Sequence, residues 1–108
     1  MTSVLYAVIA TLPDERLAGE YLAWLEDGHV EQVIKGGAHS AMIVKLERAA
    51  GDGLPSGARR VMTQYVFSTR EVFDRYVEHF APALRAEGLA KFGPERGVRI
   101  ERVMGEIV

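Results

Sequence analysis

A chain of 108 residues, 48% apolar and 26% charged, has the size and balance of one globular domain, which excludes a fibrous or disordered polymer. Its formal net charge of -2 comes with no basic stripe, so nucleic acid is not an expected partner. Cysteine is absent, which removes disulfides, thiolate nucleophiles and thiolate-bound metals.

Val4 to Leu12 is short, apolar and rich in β-branched and aromatic residues, and Pro13 closes it. This predicts a strand apolar on both faces. No basic residue precedes it and it is too short to span a bilayer, as is every later apolar run. A soluble, cytoplasmic protein with no membrane partner is therefore expected.

Asp14 is placed to cap a helix on which Leu17, Tyr21, Trp24 and Leu25 form one stripe. Asp27-Gly28 interrupts that pattern, and Val30, Val33 and Ile34 predict a further short helical turn closed by Gly36-Gly37. Ser40–Leu46 and Arg60–Phe67 read as strands two and three. The turn formers between Gly51 and Gly57 predict a mobile hairpin tip.

Ser68-x-x-Glu71 matches a capping box, and Val72, Phe73, Tyr76, Val77, Phe80 and Leu84 follow at helical spacing. Pro82 should kink or restart that helix near Ala81, after which it runs to Gly93-Pro94. Val98 to Met104 supplies a weaker fourth strand.

The order β-α-β-β-α-β, without repeat or linker, predicts an α+β ferredoxin-like sandwich spanning 1–108 as a single domain, its antiparallel sheet covered by helices on one face. Strand one nonetheless carries Leu5, Ala7 and Ile9 on one parity and Tyr6, Val8 and Ala10 on the other. A second apolar face cannot stay wet, so a homodimer through the helix-free sheet face is expected, burying roughly 1,600 Å² or more.

Trp24-x4-His29, Gln64-Tyr65 and the stretch Ala81-Pro82-Ala83-Leu84-Arg85-Ala86-Glu87-Gly88-Leu89-Ala90-Lys91-Phe92-Gly93 carry a resemblance. The chain resembles, over nearly its whole length, an uncharacterised family of small bacterial proteins of unknown function in the dimeric α+β barrel superfamily. The resemblance implies a ferredoxin-like protomer whose sheets close into a barrel across a two-fold axis, and no particular activity. Cofactor-independent monooxygenases, lactone isomerases, haem-degrading enzymes and ligand-binding regulators all share that wider fold. The family often has a His directly before the Ala-Pro pair; here Phe80 holds that place and His79 lies one residue earlier, about 100° round a helix.

Trp24 and His29 are the most suggestive pair, since an indole stacks on planar ligands and an imidazole exchanges protons near neutrality. They would not share a face of an ideal helix, but the break at Gly28 can bring them together; the alternative is a core tryptophan beside a capping histidine. Gln64, in the middle of an apolar strand, needs hydrogen-bond partners and could anchor a ligand, bridge to His29 or meet its mate across the dimer axis. Tyr6 and Tyr65 point away from their strand neighbours, as packed aromatics or ligand contacts, and His79 completes the candidate ligand-binding residues. His39 reads as a solvated edge residue, and Arg85, Glu87, Arg96, Arg99 and Arg102 as solvated faces or interface ion pairs. No metal-ligand spacing links the histidines, so neither metal nor cofactor is expected.

Two functions compete. In the first, a small apolar or aromatic metabolite lies between the sheet and helix one, held by Trp24, His29 and Gln64; if the protein is an enzyme, His29 is the catalytic acid or base of monooxygenase-like or isomerase-like chemistry. In the second, the chain is a non-catalytic metabolite-sensing or dimerisation module, which a cavity-free core would favour. An RNA-recognition domain shares the element order but needs a basic, aromatic third strand that Met62 to Phe67 does not provide.

Overall fold

The computed structural model describes residues 2–108. Strands β1 (Val4–Leu12), β2 (Ser40–Leu46), β3 (Arg59–Phe67) and β4 (Arg99–Glu106) form a sheet of order β2-β3-β1-β4. Every neighbouring pair is antiparallel. Helices α1 (Glu15–Trp24), α2 (Val30–Lys35), α3 (Arg70–His79) and α4 (Ala81–Lys91) supply the crossovers, which makes this a ferredoxin-like α+β fold.

Local chemistry places most boundaries. Asp14 is extended and its carboxylate accepts from the Leu17 amide at 2.8 Å, satisfying one free donor of the first turn of α1. Gly37, with φ of 129°, ends α2 in a conformation costly for other residues. At α3 the cap is Thr69, whose hydroxyl accepts from Val72, so Ser68 and Glu71 do not form the expected capping box. Phe80 separates α3 from α4, and Pro82 falls in the first turn of α4, where its missing N–H costs nothing.

The segment expected to be a mobile tip is tied to one side chain. Arg48 forms a bidentate pair with Asp52 at 2.7 and 3.0 Å and donates to the carbonyls of Leu54, Pro55, Ser56 and Ala58. A planar fork of donors suits this convergence of carbonyls.

Register assigns the faces. Val4, Tyr6, Val8, Ala10 and Leu12 of β1 point under the helices, alongside Val61, Thr63, Tyr65 and Phe67 of β3. Two apolar clusters form there, one around Tyr6, Phe67, Phe73 and Tyr76, the other around Leu12, Leu17, Leu25 and Phe92. The opposite face has no helix and shows Leu5, Ile9, Met62 and Val66 half-buried, with Met42 58% and Val103 50% exposed.

Candidate functional site

A short wide turn shapes the site. Leu25–His29 winds as a π-helical turn, in which the Val30 amide donates to the Leu25 carbonyl five residues back. Asp27 and Gly28 leave helical backbone angles there, and Gly28 reaches φ of 113°. In a regular α-helix residues five apart lie about 140° from each other. The kink at Asp27 and Gly28 closes that angle, so Trp24 and His29 stack with ring centroids 4.0 Å apart and planes 23° apart.

Trp24 is half-buried, packs against the second apolar cluster beside Tyr21 and Phe92, and its Nε1–H donates to Glu87 Oε1 at 3.4 Å across α4. Gly88 permits that approach, since a Cβ there would lie 3.2 Å from Trp24 Cη2. His29 is the N-cap position of α2 but its side chain caps nothing, and its Nδ1 is buried without a partner. Burial lowers the proton affinity of His29, and the carboxylate of Glu87 only partly offsets this. The imidazole is therefore neutral at physiological pH.

This pair forms one wall of a cavity of about 70 Å³ at the seam between the two apolar clusters. All four tyrosines of the chain, Tyr6, Tyr21, Tyr65 and Tyr76, line it. Each is at most 4% exposed. Thr63, 1% exposed, also faces the cavity, and its Oγ1 has no hydrogen-bond partner. The Tyr21 hydroxyl lies near enough to feel Thr63 without forming a bond of normal geometry.

Burial keeps the phenols of Tyr21, Tyr65 and Tyr76 protonated. It pushes Tyr21 up to about 12, against the guanidinium of Arg102, and Tyr76 up to about 12, while Tyr65 rises further still. A neutral phenol inside a poorly solvated cavity serves as a hydrogen-bond donor and not as a base. At the mouth stand Arg85 and Leu89 from α4 and Ile100 and Arg102 from β4.

The candidates named from sequence therefore divide. Trp24, His29, Tyr6 and Tyr65 come together in the cavity. Gln64 does not: it pairs with Ala7 and Met42 on the helix-free face, because neighbours along a strand point to opposite sides. His79 is also elsewhere, with its side chain 61% exposed and only a 3.9 Å approach to Glu78.

Comparison with known proteins bears on this geometry. Residues 3–107 match the family model described as Domain of unknown function (DUF4286). The chain belongs to that family. No protein of curated function matches it. Its fold is similar to a dimeric ferredoxin-like protein from an uncultured marine organism, with TM-score 0.76, 10% identity, and coverage of 100% of this chain and 97% of the other. It is also similar to an EthD-family protein from Bacillus halodurans, with TM-score 0.68, 14% identity, and full coverage of both chains. A third similar structure is SnoaB, a cofactor-independent oxygenase from Streptomyces nogalater, with TM-score 0.61, 10% identity, and coverage of 100% and 95%. At these identities the likeness shows a common fold.

The stretch Ala81 to Gly93, which most specifically suggested an uncharacterised family, is the helix that roofs the cavity. Leu84, Arg85, Gly88, Leu89 and Phe92 all line it, at the i, i+1, i+4, i+5 and i+8 positions of one face. Arg85 and Arg102 are exposed, as solvated residues are, and also line the cavity, together with Tyr21, Tyr76 and Thr63, which the sequence pattern marks only as stripe or strand residues. The clustering of every tyrosine needs the strand register, which no local pattern contains.

Proposed function

We propose that this protein works as a homodimer whose protomers each bind a small, oxygen-bearing apolar or aromatic metabolite in the tyrosine-lined cavity, and that proton transfer is the chemistry the cavity supports. One observation carries the reading. Thr63 Oγ1 and the His29 Nδ1, each buried without a hydrogen-bond partner, come to one small cavity that Tyr21, Tyr65 and Tyr76 also line. Unpaired buried polar atoms each cost about 1–3 kcal/mol, a cost that structure alone gives no reason to keep.

In that arrangement the hydroxyls donate to a ligand carbonyl, and His29 takes a proton from the adjacent carbon. Charge developing on the carbonyl oxygen is met by donors already in place. Returning the proton to a different atom completes an isomerisation, with no cofactor consumed. A similar fold in a protein described as a cofactor-independent oxygenase supports a reading without a cofactor.

The dimer is proposed through the helix-free face. Leu5, Ile9, Met62, Val66 and Met42 are apolar side chains that the protomer leaves partly or largely open, and the similar structure from a marine organism is described as dimeric. Gln64 then finds its hydrogen-bond partners across that interface.

A second reading, a non-catalytic dimerisation module, is favoured by two facts. No carboxylate accepts a hydrogen bond from His29 Nδ1 to orient the ring, and about 70 Å³ is half of the roughly 150 Å³ that admits benzene. Titrating the full-length dimer with a panel of small carbonyl compounds, followed by Trp24 fluorescence and amide NMR shifts, tests the proposal. Binding should perturb Trp24, Tyr65 and His29, and His29→Ala or Tyr65→Phe should weaken it while leaving the fold and dimer mass unchanged. Unfolding of both variants, or shifts confined to other surfaces, would leave these residues as core packing only.

A further inference from the structure

Resting on the ligand-binding reading above, we infer that the cavity selects a short-chain oxo-monocarboxylate, with its carboxylate held at the mouth by Arg85 and Arg102 and its oxo group among the inner hydroxyls. Arg102 lies directly across from Val8 in the β1–β4 pairing, so its side chain leaves the helix-covered face of the sheet. Arg85 reaches the same mouth from α4, on the opposite side. Arg48 is held by Asp52, Arg96 by Glu20 and Arg59 by backbone carbonyls, whereas Arg85 and Arg102 are the arginines that line the cavity. Neither Arg85 nor Arg102 makes an ion pair or hydrogen bond among the described residues, and no Asp or Glu lines the cavity. The nearby carboxylate of Glu87 is turned to Trp24.

Arg85 and Arg102, both exposed, bring two positive charges to the lining of one cavity, and an anion there is attracted to both. Guanidinium forks match a carboxylate in shape as well as charge. Deeper in, Thr63 offers a buried hydroxyl without a partner beside the phenols of Tyr65 and Tyr76, which suits a neutral carbonyl oxygen and disfavours an ammonium group. Amino acids are thereby selected against by the same cations that attract their carboxylates. The cavity volume of about 70 Å³ limits the enclosed part to a few heavy atoms, so a short chain fits where a fused ring does not.

The test compares 2-oxobutyrate, its neutral amide 2-oxobutyramide, and butyrate, binding to the full-length protein followed by calorimetry and Trp24 fluorescence. The acid should bind at least about tenfold more tightly than the amide, as loss of a charge-assisted contact implies. Butyrate, lacking the oxo acceptor, should also bind more weakly. Arg85→Gln and Arg102→Gln should each reduce affinity for the acid about tenfold and leave that for the amide unchanged, with dimer mass and circular dichroism as controls for folding. Equal binding of acid and amide would overturn the selection for a carboxylate while the cavity remained a binding site. Failure of all three compounds to bind would overturn the inference, and if the broader carbonyl panel also fails, the underlying reading falls with it.

Discussion

Replacing Thr63 by Val should make the protein more stable. The side chain is 1% exposed at the centre of β3, flanked by Val8 and Ile43 in the sheet, and its hydroxyl has no hydrogen-bond partner. A methyl group of similar shape removes an unsatisfied polar atom whose burial costs about 1–3 kcal/mol. Proximity to the Tyr21 hydroxyl recovers a little of that cost, so the expected gain is about 1–2 kcal/mol. For a domain of about 100 residues each kcal/mol raises Tm by roughly 4–8 °C. Urea and thermal unfolding of wild type and Thr63→Val, at equal protomer concentration because a dimer's Tm depends on it, measure the difference. Under the proposed function the same variant should bind ligand more weakly, separating stability from activity. A loss of 1 kcal/mol or more in stability would refute the reasoning, since it would mean that the hydroxyl is satisfied in the folded protein.

His29, whose proton affinity burial lowers, should titrate with a midpoint below its ordinary value of 6.5. Between the folded and unfolded midpoints the unfolded chain binds more protons, so its contribution to stability is complete above about pH 6.5 and declines as pH falls through the lower folded value. Because the single tryptophan stacks on this imidazole, its fluorescence should follow the same titration, and a midpoint at or above 6.5 by NMR would contradict the burial argument. Met62→Glu places a charge in the proposed dimer face and should yield monomers at micromolar concentration in the ultracentrifuge; an undisturbed dimer would move the interface elsewhere. Gly36→Ala should destabilise by about 1–3 kcal/mol, because its Cβ would lie 2.9 Å from Tyr76 Cδ1 and 3.0 Å from Phe80 Cγ. Gly19→Ala in α1, where nothing lies within 4 Å, should instead stabilise by up to about 1 kcal/mol, and denaturant midpoints of the two variants moving the same way would count against the packing described.

The sequence by itself determined the order of elements, because strand alternation, the Asp14 cap, the Gly37 stop and Pro82 act within a few residues of where they stand. It also showed that β1 is apolar on both faces, which follows from composition and a period of two. It pointed to Trp24 and His29 and to the break at Gly28 as the means of joining them, and their stacking does depend on that break. Gln64 was grouped with them although strand alternation already set it opposite Tyr65; the register then fixed which side the helices cover. Only the tertiary structure gathered four tyrosines, Thr63 and two unpaired arginines around one cavity, because their meeting depends on pairing between strands and on where α4 crosses the sheet. Contacts of that kind join residues far apart in the chain, and no local periodicity encodes which of them will meet.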